Sequence, residues 1–204
     1  MATTALFAEI LVIGLLALPW FGLAVVSTTQ ISIQTVPDVH GWDGLVLAVG
    51  LAFAYALGIV VDRLGDWAFE RSDERVSQSV RKADHLPSST VPERAEVRFR
   101  LMDKAPPMVM EFLDYARSRR RILRGIAVNC VATLIVAFAN LIIGWILGKQ
   151  TEPNALVFTL IGVSIGIGAG AFFGWWHIGL MYFRRSLLAF QLFSPLPTEV
   201  PEEN

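Results

Sequence analysis

A single cysteine, Cys130, sits in an apolar run with no second thiol in the chain, which excludes an intrachain disulfide framework and a thiolate metal site. The three histidines, His40, His85 and His177, are scattered and lack a set of carboxylates or thiols at ligand spacing; the sequence offers no metal site and implies no cofactor. No glycine loop of the phosphate-cradling or dinucleotide-binding kind follows a candidate strand, and enzyme is the class with least support. Charge is scarce as well, at 17% of residues against 54% hydrophobic. A soluble domain carries about 25% charged residues, so this chain is expected to take the lipid bilayer as its solvent.

The charge that is present lies mostly in one place. Fourteen of the seventeen Lys and Arg residues fall between Arg63 and Arg124. This stretch separates the second and third of four apolar runs, Leu6–Val26, Gly44–Val61, Gly125–Leu147 and Ala155–Gly174. Each run has about 18–23 residues, enough at ~1.5 Å per residue to cross a hydrocarbon core of about 30 Å. Amides there find no water, so the runs are helices; barrel strands would be about half as long and alternating. The expected fold class is an all-α integral membrane protein, with four transmembrane helices and a cytoplasmic helical insertion between the second and third.

Cations in short loops stay on the cytoplasmic side during insertion. Thr28–Trp42 has no Lys or Arg, the link after the third run has only Lys149, and Arg184 and Arg185 follow the fourth. Both termini are therefore expected in the cytoplasm, in a bacterial inner or plasma membrane. Trp20, Trp42 and Trp145 fall toward the outer ends of the runs and Trp67, Trp175 and Trp176 toward the inner ends, as interfacial anchors do. A cleaved signal peptide ending near Val25 and Ser27 is opposed by the missing basic residues before the run, by its length and by Glu9 within it. The expected organisation is a transmembrane hairpin over residues 1–69, a basic segment over 70–122, a second hairpin over 123–183, and an interfacial helix with a disordered tail over 184–204.

Glu70–Arg121 holds twelve basic and nine acidic residues, an interleaving unlike that of a nucleic-acid arm. Trp67–Lys82 reads as a continuation of the second helix, and Leu86–Pro92 as a Pro/Ser-rich break. Pro106-Pro107 starts a helix that runs through Arg117–Arg124 into the third span. Between them Ala95, Val97, Phe99 and Leu101 alternate with Glu96, Arg98 and Arg100, a strand-like pattern; the preferred reading of this stretch is an irregular segment or a helix lying on the bilayer, with a strand as the alternative. Thr29–Val36 alternates too and predicts an extended outer segment closed by Pro37. After Arg184-Arg185, the apolar Ser186–Phe193 predicts a short helix in the inner interface, and Thr198–Asn204, with three glutamates, a disordered tail. Pro19 predicts a kink in the first helix.

The fourth run carries Gly162, Gly166, Gly170 and Gly174 at four-residue spacing. A glycine stripe lets another helix backbone approach closely, and the second run offers a matching groove through Gly50, Ala54 and Gly58. The alternative partner is another copy, since the spacing resembles the glycine-zipper helices of oligomeric channels and membrane-permeabilising proteins. Gly162-Val-Ser164-Ile-Gly166 also matches the nucleophile-elbow pattern. That chemistry needs a strained strand-to-helix turn, and none is predicted here.

Asp62, Arg63 and Asp66 close the second run, and Arg117, Arg119, Arg120, Arg121 and Arg124 precede the third. Two uses are expected of these charges: Asp–Arg pairing that sets helix register, and a grip by the arginines on anionic lipid head groups or a protein partner. Inside the runs, Asn129 and Asn140 share a face and are candidates for bonds between helices. The reading of the whole is a non-enzymatic, membrane-anchored interaction or regulatory protein acting through its cytoplasmic segment. The alternative is a homo-oligomeric pore or membrane-permeabilising effector assembled through the glycine stripe.

Overall fold

Hydrocarbon leaves backbone amides nothing to bond but one another, and the four apolar runs lie in helices long and apolar enough to cross a membrane. These mark a multi-pass membrane protein. The structure, a computed structural model, describes residues 2–29, 43–83, 94–146 and 155–193. Of the described residues 97% are helical, and none lies in a strand.

The elements are α1 (Ala2–Leu15), α2 (Leu18–Thr29), α3 (Asp43–Ala83), α4 (Arg94–Lys104), α5 (Pro107–Ile146) and α6 (Ala155–Phe193). With 41, 40 and 39 residues, α3, α5 and α6 are each about 60 Å long, roughly twice what a span requires. α3 starts on Asp43 and ends with Arg81 and Lys82 in its last turn, charges that suit the two ends of the helix dipole. Pro107 opens α5, where a missing amide hydrogen costs nothing, and the Val109 amide bonds the Pro106 carbonyl at 2.9 Å.

Pro19 divides the first span. Having no amide hydrogen, it leaves the Leu15 carbonyl without its helical donor, and Leu16–Ala17 form a turn between α1 and α2. There the Ala17 amide bonds the Gly14 carbonyl at 3.0 Å, and the Phe21 amide resumes the ladder on Ala17 at 3.1 Å.

The helices contribute to two compact units, Met1–Phe69 with Arg121–Gly174, and Glu70–Arg120 with Trp175–Asn204. In the first, Ile13, Ala17 and Val61 form a buried cluster with Trp20, Leu57 and Val128 against it. α1 and α3 meet there almost backbone to backbone. A Cβ on Gly14 would overlap the Ala54 carbonyl, and one on Gly58 would overlap the Ile10 carbonyl. In the second unit, Val97, Leu101, Leu113, Ala189 and Phe190 form the core, with Ala105, Val109, Met110, Tyr182 and Phe193 packed on it.

The strand alternative over residues 94–104 is excluded, since they form α4. Val97 and Leu101 are buried and Ala105 packs beside them, while Phe99 is 75% exposed; the operative period is four, and the alternation was incidental. Ser186–Phe193 is not a separate interfacial helix but the last turns of α6. Ala189 and Phe190 go into the core of the second unit, which supplies apolar surface that the charged segment lacks by itself. The extended segment over Thr29–Val36, the break over Leu86–Pro92 and the tail Thr198–Asn204 lie outside the described residues, apart from Thr29 at the end of α2.

Candidate functional site

The charges that close the second run and open the third meet in the first unit. Arg124, on α5, places Nη2 at 3.2 Å from Asp62 Oδ1 and 2.7 Å from Asp66 Oδ1, both on α3. One helical turn earlier on α5, Arg121 reaches Glu9 of α1 at 3.4 Å and Asp62 at 3.7 Å. Asp62 and Asp66 share a face of α3 because they are four residues apart. Gly65 lies between them and leaves a slot for the arginine: a Cβ there would stand 3.0 Å from Arg124 Nε. That nitrogen is buried without a hydrogen-bond partner among the described residues. Glu9, Asp62 and Arg124 side chains are 11%, 15% and 13% exposed, so this network sits in a medium where attraction is weakly screened and losing one member strands the others. Arg63 is different. It is 80% exposed and 3.8 Å from Asp66 on its own helix, a pairing that contributes little.

In the second unit, Arg120 pairs with Asp73 of α3. Its guanidinium lies 5.0 Å from the Trp175 ring and 5.1 Å from the Phe183 ring, and Trp175 is fully buried. Gly179 opens the space, since a Cβ there would be 3.2 Å from Arg120 Nε. The three successive arginines therefore go three ways, as 100° per residue requires. Arg119 points outward over Tyr115 at 4.8 Å, Arg120 into the second unit, and Arg121 to Glu9 and Asp62. Of the five cations read as a grip on lipid or partner, Arg117 and Arg119 are exposed, and Arg120, Arg121 and Arg124 are engaged inside the fold.

The small residues divide in the same manner. Ala54 and Gly58 are buried, and their partner is α1; Gly50 faces open space. Gly162, Gly166 and Gly170 also face open space, while Gly174 lies against the Leu123 side chain at 3.1 Å. In the first unit α6 packs through Ser164, Gly168 and Ala171, with Gly168 against Cys130 at 3.0 Å. Ser164 is two residues from both Gly162 and Gly166, about 200° around the helix, so Gly162, Gly166 and Gly170 are on the far side from the packing face. Comparison with family models, with curated proteins and with solved structures finds no match to this chain.

Asn129, 4% exposed, makes the bonds between helices expected of it. Its Nδ2 donates to the Ile13 carbonyl at 2.9 Å, and its Oδ1 accepts from Trp20 Nε1 at 2.9 Å. Ile13 is the carbonyl released when the Ala17 amide turns to Gly14. Asn129 thus satisfies the backbone that the break exposes, where no water would. Asn140 and Thr133 instead bond carbonyls of their own helix, Val136 at 2.9 Å and Asn129 at 2.8 Å. Asp73 was missed. The available signal was its position seven residues after Asp66, two turns along the same stripe.

Chemically, the first unit's network is a set of mutually neutralising carboxylates and guanidiniums that ties α1, α3 and α5 together. Among the described residues no group of three or more His, Cys, Asp and Glu is arranged to hold a metal. Ser164 lies inside the unbroken α6.

Proposed function

We propose that the chain is a membrane-anchored interaction or regulatory protein. Four spans hold the helical unit built from residues 70–120 and 175–193 on the cytoplasmic side, with both termini on that side, and this unit binds a protein partner or anionic lipid. The orientation rests on the fourteen Lys and Arg residues gathered between Arg63 and Arg124. The observation that carries the function is that the helices outrun the spans and continue into a unit with its own buried core. A loop that only linked two spans needs neither a core nor outward-facing cations.

The test is charge reversal at the two exposed arginines. Arg117→Glu with Arg119→Glu is expected to leave thermal unfolding within about 0.5 kcal/mol of the parent, as surface changes do. It should also abolish cross-linking to the partner in native membranes or the preference for phosphatidylglycerol over phosphatidylcholine vesicles. Unchanged cross-links together with unchanged lipid preference would sink the reading.

One observation favours a second reading, the homo-oligomeric pore or membrane-permeabilising effector. Gly162, Gly166 and Gly170 face open space, which leaves the stripe free for another copy.

A further inference from the structure

The second unit carries an unusual pair of rows. On α5, Met108 (81% exposed), Phe112 and Tyr115 (56%) follow the i, i+4, i+7 spacing of one face, which Arg119 extends by one turn. On α6, Arg185, Leu188 (49%) and Leu192 (75%) share one face at i, i+3, i+7. The rows touch, because the Arg185 guanidinium lies 4.5 Å from the Phe112 ring. Both arginines are held over rings, Arg119 over Tyr115, and neither has an ion-pair partner among the described residues. Arg120, Arg121 and Arg124 all do.

We propose that this α5–α6 seam is a docking groove for an acidic amphipathic helix of a protein partner. The inference rests on the reading above, that the unit is a receiver, and names where and what it receives. Two exposed apolar rows that meet at Phe112 and Arg185 offer a seam for the apolar face of a third helix, which presents its anchors at helical spacing. Methionine, aromatic and arginine side chains are the types enriched in such interfaces. Ring stacking pre-orients the two guanidiniums, so less freedom is lost when each closes its fork on a carboxylate. Carboxylates flanking the partner's apolar stripe are the complement of that arrangement.

Other occupants fit less well. An anionic bilayer is normally gripped by a cluster of about four to eight basic residues, against two on this seam. A second copy would bring two more unpaired arginines to the same seam, where like charges oppose association.

The probe is a fluorescent peptide of about five helical turns, leucine on one face and glutamate beside it, with a lysine version as its counterpart. Both are titrated against the full chain in phosphatidylcholine nanodiscs. The acidic peptide is expected to bind at least about ten-fold tighter than the basic one. Arg119→Glu with Arg185→Glu should invert that preference, and Leu188→Gln should weaken binding. Equal binding of the two peptides, or a preference that survives Arg119→Glu with Arg185→Glu, overturns the proposal. So does hydrogen-exchange protection of 108–119 gained on moving to phosphatidylglycerol discs without peptide, which assigns the groove to lipid. So does acidic-peptide binding that appears only after residues 198–204 are removed, which assigns it to the chain's own glutamates. A photo-cross-linker placed at Leu188 or at Phe99 in native membranes separates the two levels. Partner adducts from Phe99 but none from Leu188 discard the groove and keep the receiver; no adduct from either counts against the receiver itself.

Discussion

Asn129 shows what one side chain contributes in a medium without water. The break at Leu16–Ala17 releases the Ile13 carbonyl, and the amide of Asn129 takes the place of the missing backbone donor while its oxygen holds Trp20. Asn129→Leu removes both bonds and leaves a carbonyl and an indole N–H buried. Interhelical hydrogen bonds in membranes average about 0.6 kcal/mol, and an orphaned buried group costs about 1–3 kcal/mol. A loss of about 1–3 kcal/mol in reversible unfolding from mixed micelles is therefore expected. Trp20→Phe made in the Asn129→Leu background should cost less than in the parent. Full additivity of the two changes would show that the bond contributes nothing.

Among the elements, α4 is the most instructive, because its sequence supports two periods. The alternation of Val97, Phe99 and Leu101 is real, but burial selects Val97, Leu101 and Ala105. What decides between them is the surface offered by Leu113 on α5 and by Ala189 and Phe190 on α6, distant in sequence. Leu101, 1% exposed, is the residue to change. Leu101→Ala should cost about 2–5 kcal/mol of local stability, read as faster amide exchange over 94–104. Exchange in the first unit should stay unchanged, since that unit has a separate core. Equal acceleration in both units would mean that the two cores are one cooperative body. α6 carries the complementary lesson. In its last turns Ala189 and Phe190 are buried in protein, and apolarity near Arg184-Arg185 mimics the signature of an interfacial helix.

For the molecule as a whole, the arrangement of the small residues separates folding from assembly. Gly58 is occupied by α1 within the chain, whereas Gly166 and Gly170 meet nothing. Gly166→Leu with Gly170→Leu is therefore expected to fold and unfold like the parent, and native mass spectrometry of the detergent-extracted protein reads assembly alone. A defined oligomer that dissociates in this variant supports the pore; a monomer in both removes it. Gly58→Leu is the control. Overpacking a site with no room costs about 1–3 kcal/mol or more, and this variant should lose folded protein whatever the oligomeric state.

Much of the architecture is legible without coordinates. Four runs that hold almost no charge have only the helix available to them, because an unsatisfied amide in hydrocarbon costs several kcal/mol. Side-chain chemistry alone also marks Asp62 and Asp66, and the cluster Arg117, Arg119, Arg120, Arg121 and Arg124, as partners in waiting, since charges at the end of a span need a counter-ion or water. The sequence could not decide which small face meets which helix. Glycine spacing says that a backbone can be approached, not what approaches it; the α1–α3 contact at Gly14, Ala54 and Gly58 claimed the groove expected to receive the stripe of α6. Nor could it tell which arginines turn inward, because Arg119, Arg120 and Arg121 are chemically identical. Only the three-dimensional positions of Asp73, Glu9 and Asp62, on helices far away in the chain, assign one guanidinium to the surface and two to the interior. Local rules of solvation determine the helices, and long-range packing determines the faces they keep for one another and the faces left open.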